Sequence, residues 1–188
     1  MSVYRPEFEA ALLILGRISE ALAARGLPRP ILVGGGAVEY YTGSAVMTGD
    51  IDLTSPVQPE LEDEMRRHGF VRPSGRGKST RGWIHPDLRL GFEVVADVPM
   101  DGNVSRERLV LVDLAEGASF VMIPVEDLIA GRMGQYASGT ARDRLDQARA
   151  LLSLHPDADR VYLDRRIREE TMGDLGVEDV RGIEDAEA

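Results

Sequence analysis

Residues 48–53 read Thr-Gly-Asp-Ile-Asp-Leu, and they follow a run of three glycines at positions 34–36. Successive side chains of a β-strand point to opposite faces, so Asp50 and Asp52 share one face while Ile51 and Leu53 turn toward a core. Two carboxylates held that close repel each other unless a cation neutralises them, and Mg²⁺ prefers oxygen ligands of this kind. The stretch therefore predicts a strand that presents a metal-binding carboxylate pair.

The composition is typical of a globular protein: 188 residues, 43% hydrophobic and 29% charged. There is no cysteine, which excludes disulfides and thiolate metal sites, and the three histidines are too scattered to predict a zinc site. No apolar run approaches the roughly 20 residues that a membrane span needs, and the N-terminus lacks the apolar core of a signal peptide. We therefore expect a cytoplasmic protein with no membrane partner.

Charge is distributed unevenly along the chain. The net charge is −10, which disfavours non-specific binding of nucleic acid by the whole molecule. Residues 66–89 nevertheless contain seven cations and one acid, Asp87. Two interpretations stay open for this basic stretch: a solvated surface, or a surface that holds the phosphate backbone of an acceptor such as an RNA end.

The periodicity of apolar residues predicts an α+β protein, because strands dominate the first part of the chain and helices follow. We expect strands at 30–33, 50–53, 70–71, 88–98, 109–114 and 119–123. We expect helices at 7–25, 37–41, 58–68, 125–136, 140–154 and 158–172, and a loop at 74–82. This pattern divides the chain into an α/β core, residues 1–123, and a helical part packed on it, residues 124–188.

The glycines complete the chemistry of the carboxylate pair. Gly34 and Gly35 end a strand and lead into a helix, where a phosphate can approach the backbone closely and meet helix N-terminal amides. A phosphate cradle beside metal-binding carboxylates is the minimum apparatus for transferring a phosphoryl or nucleotidyl group. A third acid on a neighbouring strand would complete a two-metal site. We prefer Glu93, with Asp97 as the alternative, since both lie on the polar face of residues 88–98.

The segment 33–42, Val-Gly-Gly-Gly-Ala-Val-Glu-Tyr-Tyr-Thr, followed by 48–53, resembles the polymerase-β-type nucleotidyltransferase superfamily. The resemblance is strongest to its minimal bacterial branch, which includes the AbiEii-type toxins and related uncharacterised nucleotidyltransferases. It implies a nucleotidyltransferase-like mixed sheet flanked by helices, with a helical C-terminal part.

The resemblance also implies roles for individual residues. Gly34 and Gly35 hold the triphosphate with Thr48 beside them, and Asp50 and Asp52 bind Mg²⁺. The branch often has a serine at the second motif position, where this chain has Gly35, so a hydroxyl contact to phosphate is missing.

A second motif of the branch follows in the helical part. Pro124-Val-Glu-Asp-Leu128 leads to Arg132, which stands where the branch has a lysine that neutralises phosphate charge, and arginine is not equivalent to that compact cation. Residues 142–146, Arg-Asp-Arg-Leu-Asp, then match the nucleotide-binding motif at Asp143 and Asp146. Apart from the resemblance, these two acids would be interpreted as ordinary surface charges of a helix.

The resemblance implies a Mg²⁺-dependent nucleotidyltransferase that moves a nucleoside monophosphate from an NTP to an acceptor hydroxyl, with tRNA or a protein as the acceptor. It further implies the toxin of a toxin–antitoxin pair, with a separately encoded antitoxin as partner. Two alternatives stay open: an inactive NTP-binding or regulatory module on the same fold, and a nucleotidyltransferase that modifies small molecules.

Overall fold

The computed structural model describes residues 3–73 and 82–181, which fall into two compact units, Met1–Ile123 and Pro124–Ala188. In the described part of the chain, all strands lie in the first unit, and the second unit is helical. The prediction of an α+β fold, with a mixed sheet flanked by helices and a helical C-terminal part, is confirmed.

The first unit is built on a six-stranded sheet with the order β3-β4-β2-β1-β6-β5. The strands are β1 Ile31–Val33, β2 Asp50–Thr54, β3 Trp83–His85, β4 Leu90–Ala96, β5 Val110–Asp113 and β6 Ser119–Met122. β2 runs antiparallel to β1 and parallel to β4, and β1 runs parallel to β6. This arrangement places β2, with its two aspartates, in the middle of the sheet between two strands that can supply further site residues.

Three helices belong to the first unit: α1 Pro6–Ala24, α2 Gly34–Tyr41 and α3 Gln58–Arg67. α1 begins at a proline, whose fixed φ suits the first helical turn, and it packs against β4, β6 and α3. Its buried face repeats at intervals of three and four residues, namely Phe8, Leu12, Leu15, Ile18 and Leu22. Short 3₁₀ helices cover Pro99–Gly102, Arg106–Arg108 and Ala115–Gly117.

The strand predictions need correction around β4. The predicted strand 88–98 begins only at Leu90, because Arg89 has φ +56°, a left-handed conformation that cannot continue a strand. The predicted strand at 70–71 is reduced to a bridge between Val71 and Ile84, and β3 was missed because three residues show no periodicity. The predicted loop at 74–82 lies outside the described residues, except for its last residue.

The second unit contains α4 Val125–Ala137, α5 Asp143–Leu154, α6 Arg160–Glu170 and α7 Val177–Arg181. α4 packs against α5 and α6, and α7 packs against the same two helices. The three longer helices match the sequence prediction to within a few residues, whereas α7 was not predicted. Among the helices of the described residues, none has the length and apolar character that crossing a bilayer requires.

Candidate functional site

The site predicted from sequence lies where β1 ends and β2 begins. Asp52 is paired with Val33 on one side and with Glu93 on the other, while Asp50 stands opposite Gly91. Residues in register on parallel neighbours share a face of the sheet, so the two aspartates and Glu93 lie on one face. Asp97 follows the end of β4 and is displaced along the sheet, so the register favours Glu93 as the third acid.

Gly34 and Gly35 are required because the end of β1 lies so close to Asp52 on β2. Gly34 has φ +58°, which favours glycine, and a β-carbon there would overlap with the carboxylate of Asp52. The backbone N–H of Gly35 donates a hydrogen bond to Asp52 Oδ2 at 3.1 Å. The glycine motif and the aspartate motif, separated by more than a dozen residues in sequence, therefore form one structural unit.

Helix α2 begins at Gly34, three residues earlier than predicted, so the glycines form its first turn. The N-cap residue Val33 provides no side-chain cap, although the carboxylate of Asp52 accepts the N–H of Gly35. The other backbone N–H groups of this first turn, together with the helix dipole, favour a bound anion such as a phosphate. The geometry of this first turn fits the phosphate cradle that the sequence predicted.

Thr48 explains why position 35 is a glycine. A β-carbon at position 35 would lie 2.5 Å from the hydroxyl oxygen of Thr48, closer than real contacts allow. That hydroxyl donates to the backbone oxygen of Asp50 at 3.0 Å and lies 3.3 Å from its carboxylate. The side-chain hydroxyl beside the glycine turn therefore belongs to Thr48, and a serine at position 35 would collide with it.

A buried ion pair holds Thr48 in place. Glu39 is fully buried on α2 and accepts hydrogen bonds from Arg5 Nε at 2.7 Å, Arg5 Nη2 at 3.0 Å and the Ser44 hydroxyl at 2.9 Å. It also accepts the backbone N–H of Thr48 at 2.7 Å, while Arg5 Nη2 donates to the Thr48 carbonyl at 2.5 Å. The pair therefore hydrogen-bonds to both the N–H and the carbonyl of Thr48, which lies two residues before Asp50.

The charge of Glu39 is maintained by these donors. Burial raises the pKa of its carboxyl, but the hydrogen bonds from Arg5, Thr48 and Ser44 lower it more, and the net pKa lies below its ordinary value. Glu39 is therefore ionised at neutral pH although it is inaccessible to water.

A pocket of about 230 Å³ opens beside the carboxylates. It lies on the β3 and β4 side of β2, whereas the glycine turn lies on the β1 side. Its lining is mostly apolar side chains and glycine backbone, from Trp83, Ile84, Phe92, Gly49, Gly82 and Gly91. Three charged residues also line it: Asp50, Arg89 and Glu93. Asp50 and Glu93 therefore line a cavity on the side of β2 that faces away from the glycine turn.

The residues at this site fit a divalent cation of the Mg²⁺ type. Asp50, Asp52 and Glu93 offer only oxygen donors, and Gly35 and Thr48 orient the two aspartates. In the described part of the chain, no group of three or more carboxylates, histidines or cysteines is placed to hold a metal ion, so Asp50, Asp52 and Glu93 do not form a preassembled metal site. Mg²⁺ commonly binds one or two carboxylates together with substrate phosphates and water, so the donor set suits an ion that arrives with a nucleotide.

The remaining predicted site residues belong to the second unit. Arg132 is buried on α4, with 5% of its surface exposed, and its Nη1 donates to Gln135 Oε1 at 2.9 Å. Asp143 and Asp146 are exposed in the first turn of α5, and Asp143 forms an ion pair with Arg144 at 3.0 Å. The roles that the resemblance gives to these three residues stay predictions.

The described cations of the basic stretch lie in two different environments. Arg66 and Arg72 lie on the ring of Trp83, at 4.9 and 4.8 Å from its centroid, and both pair with Glu62. These contacts compensate part of their positive charge, and both side chains stay half exposed or more. Arg89 lines the pocket instead. The cations at 76, 78 and 81 lie outside the described residues.

Sequence reasoning missed the groups that support the site. Glu39 follows three buried residues of α2, and a charge in such a position signals a buried partner, but Arg5 is too distant in sequence to be identified. Trp83 is buried, and it also lines the pocket.

Two solved structures share this fold. A nucleotidyltransferase-like antigenic protein from Paracoccidioides brasiliensis is 15% identical and superposes with a TM-score of 0.58 over 90% of this chain and 89% of its own. The antibiotic-resistance factor ANT(2'')-Ia is 14% identical, with a TM-score of 0.54 over 85% of this chain and 90% of its own. Neither the models of known families nor the curated proteins give a match to this chain. The two likenesses show that the chain has a nucleotidyltransferase-like fold.

Proposed function

We propose that this chain is a Mg²⁺-dependent nucleotidyltransferase, which transfers a nucleoside monophosphate from an NTP to an acceptor hydroxyl. The observation that carries the proposal is the register Val33–Asp52–Glu93, which joins the glycine turn of α2 to the carboxylates. The nucleotidyltransferase-like fold of the two solved structures supports it.

In the proposed reaction each group has a task. The first-turn amides of α2 hold the triphosphate, and Asp50, Asp52 and Glu93 hold the Mg²⁺. When bound, the metal ion neutralises the charge of carboxylates and phosphates. Glu93 accepts the proton of the acceptor hydroxyl. The hydroxyl oxygen then bonds to the α-phosphorus while the bond between α- and β-phosphates breaks, and pyrophosphate leaves.

The pocket beside Glu93 is the place for the acceptor. It lies across the carboxylates from the glycine turn, so the attacking oxygen and the leaving pyrophosphate are on opposite sides, as in-line displacement requires. We propose tRNA or a protein as the acceptor, and a toxin role for the chain with a separately encoded antitoxin in the cytoplasm. A small-molecule acceptor competes with this proposal, because ANT(2'')-Ia is an antibiotic-resistance factor.

Label transfer tests the proposal. The protein is incubated with Mg²⁺ and each NTP labelled at the α-phosphate, together with total RNA, total protein or a panel of aminoglycosides. We expect label on one acceptor class, and a loss of at least about a hundredfold in Asp50→Asn and Asp52→Asn, since each substitution removes charge that the metal needs.

The matched control is Asp113→Asn, which neutralises an exposed aspartate on the edge strand β5. It should transfer label at the rate of the unchanged protein. Transfer that survives both site substitutions would overturn the proposed mechanism.

A second candidate is an inactive NTP-binding module. It is favoured by the lack, within residues 3–73 and 82–181, of any group of three or more carboxylates, histidines or cysteines placed to hold a metal ion, and by arginine at position 132. NTP binding that depends on Asp52, without transfer to any acceptor, would establish this candidate and exclude the enzyme.

A further inference from the structure

The second unit has a concave surface with three arginines on its rim. A cavity of about 480 Å³ is formed by α5, α6 and α7 and the turn between the first two of them. Leu152 and Val180 are its buried floor. Arg149, Arg160 and Arg181 come from three different helices and form the rim. We call these five residues the arginine pocket.

The positive charge of the arginine pocket is poorly compensated. Arg149 donates from Nε to the carbonyl of Val180 at 3.2 Å, and its nearest acid, the exposed Asp146, is 3.9 Å away. A surface pair at that distance contributes little. In the part of the chain that the structure describes, Arg160 and Arg181 form no ion pair, and the buried Nη1 of Arg160 has no hydrogen-bond partner.

This convergence of cations is unusual for so acidic a chain. The net charge is −10, yet no carboxylate belongs to the described lining of the cavity. Guanidinium groups that approach one another repel, and a buried donor without an acceptor costs free energy. A bound anion would remove both costs. Guanidinium donors match the tetrahedral oxygens of a phosphate in bidentate fashion, and Ser153 adds a hydroxyl at the rim.

We propose that the arginine pocket binds a phosphate group. The cavity is larger than a single phosphate ion, so the phosphate belongs to a larger compound: a free di- or triphosphate, or the phosphodiester backbone of a nucleic acid. The proposal rests on the second unit alone and does not depend on the proposed function.

Binding is measured on the full-length chain after divalent cations have been removed on a chelating resin. One titration uses pyrophosphate, and another uses a single-stranded RNA pentanucleotide that lacks terminal phosphates. Amide chemical shifts of Ser153 and Val180 report occupancy of the arginine pocket rather than of the glycine turn. We expect Arg160→Gln to weaken binding at this pocket about tenfold, the effect of one charged hydrogen bond.

The control is Arg165→Gln, on the same helix and with the same change of charge. Arg165 lies over the ring of Tyr162 and is 3.9 Å from Glu169, outside the pocket. It should leave the affinity unchanged. Both titrations are repeated with Glu184, Asp185 and Glu187 replaced by their amides, so that a carboxylate of the chain itself cannot compete.

The two titrations distinguish the sources of the phosphate. Binding of pyrophosphate alone identifies a free phosphate compound, and binding of the RNA identifies a phosphodiester backbone. Either result, if sensitive to Arg160 and not to Arg165, supports the proposal. Equal losses of affinity in Arg160→Gln and Arg165→Gln would overturn it. So would the absence of any chemical-shift change at Ser153 and Val180, with or without the three C-terminal substitutions.

Discussion

Each unit of the molecule contains a fully buried carboxylate paired with an arginine, but the two pairs hold different parts of the chain. Glu39 accepts hydrogen bonds from Arg5 and from the backbone N–H of Thr48 at 2.7 Å. Asp127 accepts hydrogen bonds from side chains of α6, Arg166 Nε at 2.6 Å and the Tyr162 hydroxyl at 2.8 Å.

The two buried ion pairs therefore have different roles. The Glu39 pair fixes a loop that leads to Asp50, so it positions the candidate site. The Asp127 pair joins two helices, α4 and α6, and has a packing role. Exposure also differs: 2% of the Arg166 side chain is accessible, against 25% of Arg5. Breaking the Asp127 pair should therefore cost more stability, and breaking the Glu39 pair should affect the site more.

The largest effect is expected for Asp127→Ala. It leaves the Arg166 guanidinium buried without its main partner, although Glu169 and Glu170 still contact it. Removing one partner of a buried ion pair costs about 3–5 kcal/mol of unfolding free energy. Urea denaturation followed by far-ultraviolet circular dichroism measures the loss.

The double variant Asp127→Leu with Arg166→Met tests the cause. Replacing both charges by apolar groups of similar volume should recover most of the loss, since the unpaired charge is gone. A double variant as unstable as the single one would show that the unpaired charge of Arg166 is not the cause of the loss.

The sequence predicted those parts of the site that are local in the chain. Alternation on β2 predicted that Asp50 and Asp52 share a face, and the glycine run predicted a turn from a strand into a helix, although the helix begins three residues earlier than expected. Neither signal depends on distant contacts. The choice of Glu93 over Asp97 needed the register between β2 and β4, which no periodicity within one strand can supply.

The missed features depend on tertiary contacts. Glu39 and Arg5 are 34 residues apart, and no sequence pattern around either residue predicts that they pair. β3 and α7 have three and five residues, too few to show a period, and they are stabilised by packing and pairing with longer elements.

An intermediate effect is expected for Glu39→Gln, and it concerns function. The amide carries no charge to pair with Arg5. Its NH₂ group also faces one of the donors that bind Glu39 in the unchanged protein, so the loop at Thr48 loosens. We expect about 2 kcal/mol of lost stability, less than for Asp127 because Arg5 reaches water. The Mg²⁺ concentration for half-maximal label transfer should rise about tenfold as Asp50 loses its fixed position.

Asp127→Asn is the matched control, because it neutralises the other buried carboxylate. It should lower stability and leave the Mg²⁺ requirement unchanged. If both variants shift the Mg²⁺ requirement equally, Glu39 acts through stability alone and is not a positioning residue. Activity that Glu39→Asp restores in part would support a positioning role.

The smallest effect is the acid sensitivity that Glu39 gives to the first unit. Its pKa in the folded protein is below the ordinary value of 4.5, so the unfolded chain takes up this proton at higher pH than the folded chain does. The stabilisation is complete above about pH 5.5 and is lost as the pH falls through and below about 4.5. Glu39→Gln cannot titrate, so its stability should fall less steeply across this window.

Urea denaturation followed by the fluorescence of Trp83, the one tryptophan of the chain, reports on the first unit directly. Glu20 and Glu62 also have lowered pKa values, caused by hydrogen bonds to arginines among other donors, and they titrate alike in both proteins. The difference between the two curves therefore isolates Glu39. If the stability of the unchanged protein and that of Glu39→Gln fall in parallel from about pH 6 to about pH 3.5, Glu39 binds its proton equally in the folded and the unfolded state. In that case Arg5 and Thr48 would not hold its charge, and the contrast with Asp127 would rest on geometry alone.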